Sequence, residues 1–401
     1  MKLPQVPPNN DQPLAALATL ERPQLLSLFQ AEVGPCDSKG RYLHWDKLRH
    51  LPAPAGLTPE LHWVATRLAR DKIARALPLF SKDQRPFRFC IPDTLMRDLL
   101  WLSEHASGAI EADSVVRDKS TREHYLFNSL IEESISSSQL EGASTTRRVA
   151  KEMLTTGRNP DDHSERMIVN NFHAMRFIRE HKNDPLTPSI IFELHRILTD
   201  GTLEPGDEHL AGQFRRTEDD ICVFSKDDQL LHVPPNVTEL PDRLQRLCDF
   251  ANASCDSGNL FIPPVIKAIT VHFMIGYDHP FVDGNGRTAR ALFYWLMAKE
   301  GYWLLEYTSI SRVIKKAPCQ YQRAYLYCET DANDLTYFIV HQLEVIREAI
   351  EDLHTWLAQK MAALRQTADL LAGSRLQQAL NHRQLALLDH ALQHPGYEYS
   401  I

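Results

Sequence analysis

His279-Pro-Phe-Val-Asp-Gly-Asn-Gly-Arg-Thr-Ala-Arg290 is the stretch on which the reading of this chain turns. Its Gly-Asn-Gly run suits a tight hairpin turn, because all three residues tolerate positive φ. A hairpin, however, needs alternating strand residues on both sides. Arg287-Thr-Ala-Arg-Ala-Leu-Phe-Tyr-Trp-Leu-Met-Ala-Lys299 instead runs on in strong helix formers without alternation. The glycines therefore open a helix. There the free backbone N–H groups and the macrodipole favour an anion, and the missing side chains let phosphate come close. Arg287 and Arg290 are three apart on that helix and share a face, so two guanidinium forks border the same spot. Asp283, just ahead, offers a hard oxygen for a Mg²⁺ bridging phosphates. His279 closes the preceding segment with an imidazole that is a base near neutral pH. A base, a metal carboxylate, an anion nest and two arginines within one loop describe phosphoryl or nucleotidyl transfer.

Outward from this loop the pattern is helical. Val265 to Tyr277 and Arg287 to Lys299 flank it, and Ser164 to His181 carries a one-sided apolar stripe through Met167, Ile168, Phe172, Met175, Phe177 and Ile178. Thr187 followed by Pro188 reads as an N-cap with proline at the first helical position. From Asp334 a long helix is expected to run toward Leu371 and stop at Gly373, and Leu380 to Leu392 forms another before a turn at Pro395 and Gly396. One segment departs from this. Asp220 to Val233 places β-prone residues on both sides of a polar turn and predicts a β-hairpin. Before residue 115, prolines alternate with short helical patterns such as Pro59 to Ala76.

The chain has 401 residues, enough for two or three domains, with 43% hydrophobic and 24% charged residues, as in ordinary globular proteins. Acidic residues outnumber basic ones 52 to 44, which argues against a global basic surface for nucleic acid. The amino terminus has no apolar signal core, and no run of 18 apolar residues follows. Seven cysteines without a Cys-x-x-Cys pair fit reduced thiols, and a cytoplasmic location with no membrane partner is expected.

The 279–290 segment resembles, at every fixed position, the signature of the Fic (Fido) family, His-Pro-Phe-x-Asp/Glu-Gly-Asn-Gly-Arg-x-x-Arg. The pattern is long and specific, and the resemblance extends over roughly residues 120 to 350. It implies a helical core that binds Mg-ATP and moves AMP onto a Ser, Thr or Tyr hydroxyl of a protein target, or of the chain itself. By that resemblance His279 is the general base and Asp283 the Mg²⁺ ligand. Gly284, Asn285 and Gly286 line the anion site, Arg287 and Arg290 hold the β- and γ-phosphates, and Phe281 anchors the loop. Relatives that transfer phosphate carry Lys where this chain has Gly286.

Two further segments resemble family features. Ser137-Ser-Gln-Leu-Glu141-Gly142 matches the inhibitory Ser/Thr-x-x-x-Glu-Gly/Asn motif of the subgroup that carries it on the amino-terminal side of the core. Ser137 and Glu141 are four apart on a helix that Gly142 ends, and the resemblance implies that Glu141 takes Arg290 from the γ-phosphate. Gly212-Gln-Phe-Arg-Arg216 and the following hairpin resemble the flap on which a target segment lies by strand addition, here with Ile221, Cys222, Val223 and Phe224. Tyr321 and Tyr325 fall where relatives place aromatic residues near adenine, and they suit a core role equally well. The expected organisation is mainly α. Residues 1–115 form a helical extension, 116–355 a Fic-type core with its inhibitory helix and small hairpin flap, and 356–401 a helical tail resembling part of a winged helix. That tail ends before a recognition helix, so DNA is not an expected partner; a homodimer is compatible with the sequence. Rival functions are AMP removal alone or alongside addition, another nucleotidyl or phosphoryl transfer, and a non-catalytic nucleotide-binding regulator.

Overall fold

Two helices buried on almost every side occupy the centre of the molecule. The first is apolar over most of its surface, as a helix so enclosed is expected to be, and the second adds buried Arg287 and Arg290 in its first turns. In the computed structural model they span Pro264–Asp278 and Asn285–Lys299, and almost every residue of both is buried up to Met297. The loop 279–284 joins them. The structure describes residues 2–8, 17–18, 20–106, 119–219, 221–225, 228–255, 261–372 and 380–393.

In chain order, the elements are α1 Arg22–Gln30, α2 Pro59–Asp71, β1 Arg75–Phe80, β2 Pro86–Phe89, α3 Asp93–Ala106 and α4 Lys119–Leu140. Then come α5 Arg147–Thr156, α6 His163–Glu180, α7 Pro188–Thr199, β3 Val223–Phe224, β4 Leu230–His232 and α8 Leu240–Asn252. The central pair are α9 Pro264–Asp278 and α10 Asn285–Lys299. After them follow α11 Ile310–Lys316, α12 Pro318–Thr330, α13 Thr336–Ala372 and α14 His382–Gln393. Around the central pair, α6 and α7 pack on α10, α8 and α13 pack on α9, and α4 lies between α6 and α11. Capping residues begin these helices as their sequences dictate: Thr187 accepts from Ile190 N at 3.3 Å and Asp162 from Glu165 N at 2.8 Å. The fold is mainly helical with small hairpins, as the sequence implies.

The amino-terminal region differs from its helical reading. The helix starting at Pro59 ends at Asp71, and Ala76 belongs to a strand. Residues 75–80 and 86–89 pair antiparallel, Arg75 opposite Phe89 and Phe80 opposite Pro86. The cause is alternation. Leu77, Leu79, Phe87 and Phe89 all turn inward, and the ring of Phe87 meets Phe273 and Tyr277 of α9 edge-on at 5.3 and 5.1 Å. Buried polar groups pin this region further. Arg67 bonds Asp331 at 2.6 Å, Arg70 bonds the Tyr337 hydroxyl at 2.6 Å, and the Tyr42 hydroxyl donates to Asp334 at 2.5 Å. Tyr42, the two strands and α3 thus share one hydrophobic cluster with α9 and α10, while Trp45, Leu48 and Trp63 form a smaller one and Leu61, Val64 and Ala65 another, and α13 runs unbroken through residue 355.

The hairpin expected over 220–233 is present as β3 and β4, with Val223 opposite His232. Asp220 and the turn residues Lys226 and Asp227 lie outside the described residues, as do Gly373, Pro395 and Gly396. No described helix is long and apolar enough to cross a membrane, and the seven cysteines are free.

Candidate functional site

His279 caps the carboxy end of α9 in the left-handed conformation, φ 45° and ψ 57°. A non-glycine residue holds that conformation only when its surroundings dictate it, and three contacts do so here. Its N–H donates to Ile275 O at 3.0 Å, and Arg215 Nε donates to its carbonyl at 2.8 Å. Arg215 N also donates to Pro280 O at 2.9 Å, and its Nη2 reaches Pro235 O at 2.6 Å. Next door, buried Asp278 accepts from Arg243 Nε at 2.8 Å, and Arg243 Nη2 continues to Phe80 O at 2.5 Å. The half-buried imidazole directs Nδ1 at Gly276 O, 3.3 Å away. A carbonyl can only accept, so the proton sits on Nδ1 and Nε2 keeps its lone pair. Burial pushes the ring pKa down to about 4, so it is neutral near pH 7.

The loop after His279 is closed by its own side chains. Asn285 accepts from Phe281 N at 3.0 Å and donates to Phe281 O at 2.8 Å, so its amide is spent inside the loop. Phe281 is fully buried with its ring stacked 3.8 Å from that of His195. Replacing Phe281 by alanine is expected to cost about 3–5 kcal/mol of stability, measurable as a lowered denaturation midpoint. His195 itself accepts from Gly212 N at 2.9 Å, which leaves its Nε2–H for Asp283 O at 2.9 Å. It therefore ties the loop to the entry of the flap, and burial holds it near pKa 4 as a neutral ring.

Gly284 is the N-cap of α10 at φ +79°, and a Cβ there would lie 2.9 Å from Thr199 Cγ2. The helical ladder starts with Thr288 N donating to Gly284 O, so the N–H groups of 285–287 are free of it. Arg287 is buried. It donates to Leu198 O at 2.9 Å and to Asp283 Oδ2 at 2.6 Å, and its Nε has no partner. Asp283 keeps its other oxygen, and its side chain is 52% exposed.

Arg290 is also buried and reaches back to α4. Its Nε donates to Ser137 Oγ at 2.8 Å, and its Nη2 donates to Ser137 O at 3.1 Å and Glu141 Oε1 at 2.8 Å. The Glu141 carboxylate lies over Gly286, where a Cβ built on the glycine would collide with Oε1. Gly142 follows α4 at φ +100°. Ser137, Glu141, Gly286 and Arg290 therefore meet at one point, beside the free N–H groups of α10. On the flap, Ile221, Cys222 and Val223 are half-buried and Phe224 is 54% exposed. His232 anchors this flap through Tyr277 O and Glu329 Oε2, each at 2.7 Å. Tyr321 and Tyr325 join their hydroxyls at 3.3 Å, Tyr321 bonding His272 at 2.8 Å and Tyr325 stacking on Phe273.

Residues 185–297 match the family model described as Fic/DOC family. Over that segment the chain is similar to the Fic/DOC family. Curated relatives named "Protein adenylyltransferase Fic" are similar to it. The one from Drosophila willistoni is 31% identical over 194 residues, 48% of this chain and 35% of that one. The one from Culex quinquefasciatus is 31% identical over 163 residues, 40% and 29% of the two chains. The match thus spans about a third of these relatives' length. Among solved structures, a C. elegans Fic-1 fragment aligns with TM-score 0.53 at 16% identity over 84% of this chain and 92% of that one. A Fic family protein from Desulfovibrio desulfuricans aligns with TM-score 0.51 at 19% identity, covering 74% and 89%. Those two likenesses establish the fold. The groups that shape the site and that the sequence left unassigned are His195, Arg215 and the Arg243–Asp278 pair. Each works through backbone carbonyls or partners far along the chain, and only the Gly212–Arg216 run drew notice to one of them.

Proposed function

We propose that the protein is an autoinhibited adenylyltransferase that moves AMP from ATP to a hydroxyl of a protein. The observation that carries this reading is a neutral imidazole with a free Nε2 beside a glycine-lined helix start, with Glu141 bonded to the arginine that borders it. His279 Nε2 takes the proton of the acceptor hydroxyl. Its oxygen bonds to the α-phosphorus, and the bond from that phosphorus to the oxygen bridging to the β-phosphate breaks, so pyrophosphate leaves. The free N–H groups of 285–287 and the partnerless Nε of Arg287 receive phosphate oxygens. Arg290 is reserved for the terminal phosphate and is engaged by Glu141 until that contact opens.

Asp283 has the chemistry for Mg²⁺, which takes one or two carboxylates plus phosphate oxygens rather than a protein cage. Its second carboxylate oxygen is uncommitted in a half-exposed side chain. The ion would neutralise phosphate charge there. Gly286 stands where relatives that transfer phosphate carry Lys, and by that resemblance it favours AMP as the transferred group. Phe224 and the short β3 edge suit a target segment added as a strand.

The test is mass spectrometry of the protein incubated with Mg-ATP and candidate targets. A mass increase equal to AMP on target or enzyme is expected, and incorporation of phosphate alone, or none even from the Glu141→Gly variant, would refute the reading. A pH profile adds a second check. The folded pKa of His279 lies below the free-imidazole value, so the base form persists as pH falls. The kcat/KM of Glu141→Gly is expected to vary less than about twofold from pH 8 to 6, where an unperturbed imidazole of pKa about 6.5 loses roughly three quarters of its base form. Removing Glu141, whose charge raises that pKa, acts in the same direction.

A further inference from the structure

The helix that carries Glu141 is polar for its depth. Ser129, Glu133, Ser134, Ser136, Ser137 and Ser138 of α4 are all buried. An apolar helix face tolerates small slides and rotations, whereas hydrogen-bonded side chains fix register. Toward α6, Ser138 Oγ donates to Met167 O at 3.1 Å, and Asn171 Nδ2 donates to Ser138 Oγ and Ser134 O, each at 3.4 Å. Toward α10, the residues Glu133, Ser137 and Glu141 stand at i, i+4 and i+8 on one face. The last two meet Arg290. Glu133 has no part in the chemistry above, yet its carboxylate accepts from Ser309 Oγ at 2.8 Å, from Ser311 N at 3.2 Å and from Ser311 Oγ. The hydroxyl of Tyr294, one turn beyond Arg290 on α10, donates to it at 3.0 Å.

We propose that Glu133 is a positioning residue of the brake. It pins α4 to Tyr294 of α10 and to the first turn of α11, and so sets the height and rotation at which Glu141 meets Arg290. This rests on the inhibitory reading of Glu141 given above. Two turns separate the pin from the inhibitory carboxylate, and a rigid helix transmits its register across them. α11 adds a second clip at the far end, where Lys315 donates to Gln139 Oε1.

The experiment compares AMP incorporation by the full chain in four forms: wild type, Glu133→Gln, Glu141→Gly and the double variant. Glu133→Gln is expected to raise the basal rate by about three- to tenfold and to leave the Glu141→Gly rate unchanged within about twofold, because a misplaced brake matters only while the brake exists. Equal factors in both backgrounds, or no rise in the wild-type background, would overturn the proposal. A purely structural role predicts equal factors. Ser309→Ala with Ser311→Ala removes donors and keeps the carboxylate; it is expected to activate in the same way, and it decides the matter should Glu133→Gln lose its fold. If Glu141→Gly is itself no more active than wild type, the inhibitory reading fails. If Glu141→Gly is active and neither the Glu133 nor the serine variant is, only the positioning role fails.

Discussion

Replacing Glu141 by glycine is expected to raise AMP incorporation by roughly ten- to a hundredfold. The figure follows from the contact that is lost. A hydrogen bond to a charged group contributes about 1.5–3 kcal/mol, and each 1.4 kcal/mol is a factor of about ten in rate. Arg290 makes one such bond to Glu141 while Ser137 holds the rest of its guanidinium from two sides. The substitution therefore frees the fork without loosening it. It also clears the space above Gly286 that the carboxylate now fills. The measurement is the initial rate of labelled AMP transfer at saturating Mg-ATP. A rate equal to or below that of wild type would mean that Glu141 does not restrain the reaction.

The second large effect is expected from His279. In the Glu141→Gly background, where the starting rate is measurable, His279→Ala should lower transfer by about 10²–10⁴-fold, the usual contribution of a general base. Its backbone conformation is imposed by Arg215 and by the end of α9 rather than by its own ring. His279→Asn, a residue that tolerates positive φ, is the companion variant that separates chemistry from strain. ATP affinity should change little, because the phosphate-facing groups lie on α10. Transfer retained within about tenfold in both variants would mean that His279 is not the general base.

The part of the site legible in the sequence is the part that is contiguous. Residues 279–290 form a loop and a helix start whose glycines, arginines and imidazole carry their chemistry at fixed spacing. The i and i+4 relation of Ser137 to Glu141 is likewise local. Other functional groups are written across distance. Arg215 acts on the His279 carbonyl 64 positions away, and His195 on the Asp283 carbonyl 88 positions away. No window of sequence contains both ends of such a contact. Glu133 follows another acid, Glu132, and on its own reads as a solvated helix face; only the folding of α11 against α4 buries it. The β1–β2 hairpin escaped for a different reason. The helical pattern of Pro59–Asp71 runs straight toward it, and Pro78 interrupts a strand that is only six residues long.

That hairpin has a practical consequence for anyone shortening the chain. Phe87 roofs over Phe273 and Tyr277, and Arg243 reaches from α8 to the carbonyls of Phe80 and Ser81 while it holds Asp278. A fragment begun at residue 116 would bare those rings to water and leave Asp278 half-supported. Sticky, poorly behaved protein is the foreseeable outcome. Transfer missing from such a fragment would report on the excision and not on the proposed activity of the whole chain.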